Sequence, residues 1–197
     1  MKKLLAIVLA AAVLFGAATV LADIDLITRS KTTEDLTKFE VEVEHPVEGR
    51  IVEILPINEH TVGDISKYQV NLDVAEEELK KALKAGTVET YFDPDAAVDI
   101  EEIFVDIKAV YLDEMFAIIQ VGYEEGMGEA TVKAQLPTPY DKDEKVAAMI
   151  GILKDGVLTW HVFEGIGLED NGILFVADEA TMLEINPNIA LFAVCSR

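Results

Sequence analysis

The chain has 197 residues, with 37 acidic against 16 basic side chains and a formal net charge of −21. That imbalance argues against DNA, RNA and anionic membrane surfaces as partners, because each needs a basic face to meet phosphate. Apolar residues make up 51% of the chain in patterned runs, which separates it from acidic disordered sequences, and the length suits one large domain or two small ones with a core that needs no staple.

Met1 to Ala22 opens with Lys2 and Lys3, continues through the apolar run Leu4 to Phe15 and ends in mostly small residues, with Val20 and Ala22 at −3 and −1. This is the pattern of a secretory signal peptide. The competing reading is an uncleaved anchor, since the apolar stretch is long enough to span a bilayer; the small-residue end favours cleavage. The expected product is a free protein starting near Asp23, secreted or periplasmic, bacterial in style, with no membrane association once the leader is gone. Removing residues 1–22 takes away two positive charges and no acid, and lowers the apolar fraction to that of an ordinary soluble domain. One cysteine, Cys195, remains, so no intrachain disulfide can form. It ends an apolar run, which favours a buried thiol over an intermolecular pair or a reactive group.

An N-terminal module is expected over 23–98. Phe39, Val41 and Val43 alternate with Glu40, Glu42 and Glu44, the period of a strand with one wet, acidic face. Arg50 to Leu55 reads as a second strand stopped by Pro56, residues 58–67 as a polar connection, and Tyr68 to Leu72 as a third strand. Asp73 and Glu76 have capping-box spacing at the start of a helix with Ala75, Leu79, Ala82 and Leu83 at helical spacing. Lys80, Lys81 and Lys84 suit its last turns, and Gly86 suits its end. Residues 87–92 return to β character, and 93–99 form a junction.

A C-terminal module over 99–197 reads as strand after strand. Residues 103–111 and 115–123 flank Leu112-Asp113-Glu114, which predicts a hairpin. Ala130 to Leu136 alternates. Val146 to Leu153 is apolar on both faces, the mark of a central strand. Asp155-Gly156 and Asn171-Gly172 are tight-turn signals, leading into strands 157–163 and 173–177; Gly165 and Gly167 read as turn residues. A short helix over 178–185 precedes a last strand, 189–195. Seven strand candidates predict a mainly β fold with two short helices: an antiparallel β-sandwich, immunoglobulin-like in the C-terminal part but without a Cys…Trp…Cys pattern. Trp160, with Leu158 and Val162 on its face, is expected in the core. The runs 68–92 and 173–194 both read strand, Asp cap, helix, strand, which suggests two tandem degenerate modules.

Among constellations that carry chemistry, clustered carboxylates are the natural ligands of Ca²⁺. Asp93, Asp95 and Asp99, with Glu101 and Glu102 nearby, are the first metal-ligand candidates, against the alternative of a solvated loop. Asp141, Asp143 and Glu144 come second, and Glu169, Asp170 and Asn171 third. His45, His60 and His161 form no zinc motif, and His161 is expected at the surface or half buried. Serines 30, 66 and 196 lie in no nucleophile motif, Gly122, Gly126 and Gly128 flank acids that would repel phosphate, and no acid pair stands out for hydrolysis. The reading that follows is an exported, non-enzymatic binding or structural protein of the cell envelope or medium. It would take an unidentified protein or glycan partner, or associate with itself through edge strands, unless Glu40, Glu42 and Glu44 protect such an edge. The alternatives are a calcium-stabilised adhesion module and a hydrolase with an unidentified carboxylate pair.

Overall fold

The computed structural model describes residues 25–28, 37–57, 71–85, 109–154, 157–169, 171–185 and 188–196. The leader, the connection 58–67, most of the strand expected at 68–72, the strand 87–92, the junction 93–99 and residues 103–108 lie outside them. The nine described strands are β1 (Asp25–Thr28), β2 (Lys38–Val43), β3 (Glu53–Pro56), β4 (Ala109–Val121), β5 (Ala130–Gln135), β6 (Lys145–Lys154), β7 (Val157–Leu168), β8 (Gly172–Ala177) and β9 (Ala190–Ser196). The helices are α1 (Leu72–Ala85) and α2 (Glu179–Ile185).

All nine strands belong to one sheet, in the order β1-β4-β9-β6-β7-β8-β5-β2, with β3 also on β4. The pairs are antiparallel except for β1 with β4. β4 gives its first residues to β1 and its last to β3. β3 in turn lies beside β2, the far end of the path, so the sheet rolls almost shut. The two facing sheets of an immunoglobulin-like sandwich are therefore not what these pairings build. Both architectures are built from antiparallel strands; the difference lies in which strands pair, a non-local choice.

Alternation along each strand divides the core into two sides. Phe116, Ile118, Val132, Ala148, Ile150, Phe175 and Phe192 pack inside the rolled sheet, joined by Phe39 and Val41 from β2. The aromatic rings touch in sequence: Phe39 meets Phe192 edge-on at 5.2 Å, and Phe192 stacks on Phe175 at 5.8 Å. An eight-stranded roll is just wide enough for side chains to fill its interior. On the outer face, Met115, Ala147, Met149, Trp160, Val162 and Leu191 form a second cluster with Ala75 and Leu79 of α1. That face is apolar because α1 covers it, which is why β6 reads as apolar throughout. Trp160 packs in this cluster as its strand neighbours suggested. α2 sits at one end of the roll and sends Met182 and Ile185 into the interior.

Three local expectations are corrected. Residues 109–121 are one continuous strand, so Leu112-Asp113-Glu114 makes no hairpin; the register on β9 slips between Leu112 and Glu114, with Asp113 the extra residue. A bulge takes polar residues into a strand without ending it. Gly165 and Gly167 lie inside β7, where a Cβ at 165 would meet Val146 Cγ2 at 2.8 Å and one at 167 would meet the Asp141 carbonyl at 2.2 Å. They permit close approach and turn nothing. The cap of α1 is Asn71: its Oδ1 accepts the amides of Asp73 and Val74 at 3.1 and 3.2 Å. Asp73 lies in the first turn, where its charge still suits the helix dipole. The strand-helix-strand order of the second proposed repeat holds over β8, α2 and β9; the strands flanking α1 lie outside the described residues.

Candidate functional site

The end of the roll closed by α2 carries a groove of about 720 Å³, lined by Glu44, Glu125, Gly128, Glu129, Asp178, Glu179, Ala180 and Leu183. Glu44 extends β2, its amide donating to the Glu129 carbonyl at 2.9 Å, and the next amide, of His45, donates to Met127 at 2.9 Å. These two bonds tie the end of β2 to the loop 122–129. That loop turns through Gly122, Gly126 and Gly128, with φ of 85°, 92° and 74°, a region that favours glycine. Gly128 also makes room for Glu44, whose Oε2 would lie 2.6 Å from a Cβ there. Arg50 pairs with Glu124 at 2.9 Å and holds the loop from outside.

α2 is fastened to the same loop. The Gly126 amide donates to Glu179 Oε1 at 2.5 Å, and the Tyr123 hydroxyl donates to the Gly128 carbonyl. Burial, and then the charges of Glu179 and Asp178, push the Tyr123 phenol up to about 12. At the start of α2 both oxygens of Asp178 are occupied: the Thr181 amide donates to Oδ1 at 2.8 Å and the Thr181 hydroxyl to Oδ2 at 2.9 Å. Behind Thr181, His161 Nδ1 lies 3.0 Å from the same hydroxyl oxygen, and His161 Nε2 lies 3.7 Å from Glu184 Oε2. Thr181 is 0% and His161 4% exposed, so the surface or half-buried position expected for His161 is corrected. The ring is enclosed because it lies on the inner face of β7, two residues from the buried Phe163, and against Thr181 of α2. A hydroxyl beside an imidazole resembles a nucleophile with its base, but this hydroxyl is closed off from solvent and its proton goes to Asp178.

The opposite end of the roll holds a second polar group. The bulge places Asp113 and Glu114 at 0% and 1% exposure, and the Thr138 hydroxyl donates to Glu114 Oε1 at 2.7 Å. Tyr140 is buried nearby; burial first, then the charges of Asp113, Glu114, Cys195 and Glu144, push its phenol far up. Cys195 is a buried free thiol, as expected from its apolar run. Its pKa is pushed well up by burial and by Asp113, which suits an inert packing residue rather than a nucleophile.

Asp93, Asp95 and Asp99, with Glu101 and Glu102, lie outside the described residues. The Glu144 carboxylate is spent on its own turn: its Oε2 accepts the Asp141 amide at 3.0 Å, and the Glu144 amide returns to the Asp141 carbonyl at 3.1 Å. Glu169 pairs with Lys142 at 3.0 Å. Among the described residues no group of three or more His, Cys, Asp or Glu is placed to hold a metal ion. The groove acids escape sequence reading because Glu44 looks like strand decoration, Glu125 like a turn, and Asp178 like a helix cap. Each assignment is locally correct, and only the pairing of β2 with β5 and of β5 with β8, which sets Val43, Ala130 and Ala177 in one row, brings them together. No family model, curated protein or solved structure matches the chain. Among the described residues, no helix is long and apolar enough to cross a membrane.

Proposed function

We propose that this is an exported, non-enzymatic binding protein of the bacterial envelope or medium, which holds a cationic protein segment in the groove beside α2. The observation that carries this reading is the groove's lining: five carboxylates line it together with Ala180 and Leu183, and among the described residues no Lys, Arg or His lines it. Carboxylates from β2, the 122–129 loop and α2 repel one another, and a cation that satisfies several at once relieves that repulsion. The two apolar residues suit the methylene stem of lysine or arginine, which buries its chain while its head stays polar. Two further points support the reading. The interior of the roll is occupied by side chains, which leaves recognition to the surface, and residues 1–22 have the order of a signal peptide.

Tetralysine, titrated calorimetrically at low salt, tests the proposal. Saturable binding that weakens as salt rises is expected, since exposed charges are screened over about 10 Å at 0.1 M salt. A chain carrying E125Q, E129Q and E179Q together should lose most of it. Absence of binding to the wild-type chain, or undiminished binding by the triple variant, removes the reading.

A further inference from the structure

We infer that His161 carries a proton on Nδ1 and, through Thr181, is a positioning residue for Asp178 in the groove wall. The inference rests on the groove reading for its functional meaning, but its geometry stands apart from it. Thr181 has one hydroxyl proton. Asp178 Oδ2 accepts it at 2.9 Å, while Oδ1 accepts the amide of the same residue at 2.8 Å. The hydroxyl oxygen then has only lone pairs to offer the imidazole nitrogen 3.0 Å away, so His161 Nδ1 is the donor. The opposite tautomer would turn the hydroxyl proton towards the ring and leave Oδ2 facing a lone pair.

The direction of the chain is thus His161 to Thr181 to Asp178, from the interior of the roll to the groove. A proton sits on Nδ1 in the neutral Nδ1–H tautomer and in the imidazolium alike, and the Glu184 carboxylate 3.7 Å from Nε2 faces a lone pair in the first and a donor in the second, so the direction does not depend on the charge of the ring. Burial of Thr181 and His161 at 0% and 4% exposure keeps water from replacing either donor. Asp178 is therefore a pinned carboxylate, in contrast to Glu44, whose side chain is 58% exposed. Preorganisation of this kind lowers the ordering cost of binding.

Two measurements test it. Long-range ¹H–¹⁵N spectra of the full chain, with the His161 signals assigned by their loss in H161N or H161Q, should show a protonated Nδ1. Tetralysine affinity should fall roughly threefold to tenfold in H161Q and T181V, each of which loses one hydrogen bond of the chain. H161N, whose amide donates from the place of Nδ1, and T181S, which keeps the hydroxyl, should stay within about twofold of wild type. An unprotonated Nδ1, or H161N and T181S as weak as H161Q and T181V, overturns the inference. If H161N fails to fold, as a thermal melt would reveal, the Thr181 pair and the Nδ1 proton still decide. If tetralysine does not bind the wild-type chain, the groove reading falls. The Nδ1 proton and a slowly exchanging Thr181 hydroxyl proton, lost in H161Q, then decide the inference alone.

Discussion

Gly151 stands directly across from Trp160 on the β6–β7 pair, and a Cβ at 151 would lie 2.8 Å from the indole. The glycine is the space into which the fully buried ring fits. Gly151→Ala should therefore cost about 1–3 kcal/mol, the usual range for overpacking a filled core. Urea denaturation of the two proteins measures it. A variant as stable as wild type would mean that the indole shifts at little cost.

The outer face of the roll depends on α1. Leu79 is fully buried there, whereas Val74, on the same helix, is 55% exposed. Leu79→Ala should destabilise by about 2–5 kcal/mol through lost burial and a cavity. Val74→Ala should stay within about 0.5 kcal/mol, as surface substitutions do. Paired denaturation curves check the contrast.

Capping of the same helix separates two neighbouring acceptors. Asn71→Ala should cost about 1 kcal/mol, because two first-turn amides lose their acceptor. Asp73→Ala removes a favourable charge near the helix start, worth about 0.3–1 kcal/mol and screened by salt. Melting midpoints at low and high salt distinguish them: the Asp73 effect should shrink with salt and the Asn71 effect should persist.

Alkali should unfold this protein. The Cys195, Tyr140 and Tyr123 protons are all held more tightly in the folded chain, in each case chiefly through burial. An unfolded cysteine loses its proton near pH 8.5 and an unfolded tyrosine near pH 10. Above those values the unfolded state binds fewer protons than the folded one, so stability falls as pH rises; below them the contribution is fully present. Each such group adds a slope of about 1.4 kcal/mol per pH unit between its unfolded and folded pKa. Urea midpoints at pH 8, 10 and 11 should decline steeply, and Tyr140→Phe should flatten the part above pH 10.

The amino-acid order alone determined what short-range physics controls. Alternation marked β2 and β5, an unbroken apolar run marked β6 as central, and Asn171-Gly172 marked the turn before β8, where Asn171 indeed has a φ of 58°. Trp160 and Cys195 were legible as buried from their strand neighbours. Each of these follows from the two-residue period of a strand or the backbone freedom of one residue. Tertiary structure decided the rest. Asp113 reads as a turn residue beside Leu112 and Glu114, yet it is a bulge because β9 runs on past it. Gly165 and Gly167 read as turns, yet they make room for Val146 and the Asp141 backbone. His161 reads as a surface or half-buried residue, yet it is enclosed on the inner face of β7 against Thr181 of α2. Glu44, Glu125 and Asp178 are far apart along the chain and meet because β2 pairs with β5 and β5 with β8, which sets Val43, Ala130 and Ala177 in one row. Pairing partners and closure are properties of the whole sheet, and no local period encodes them.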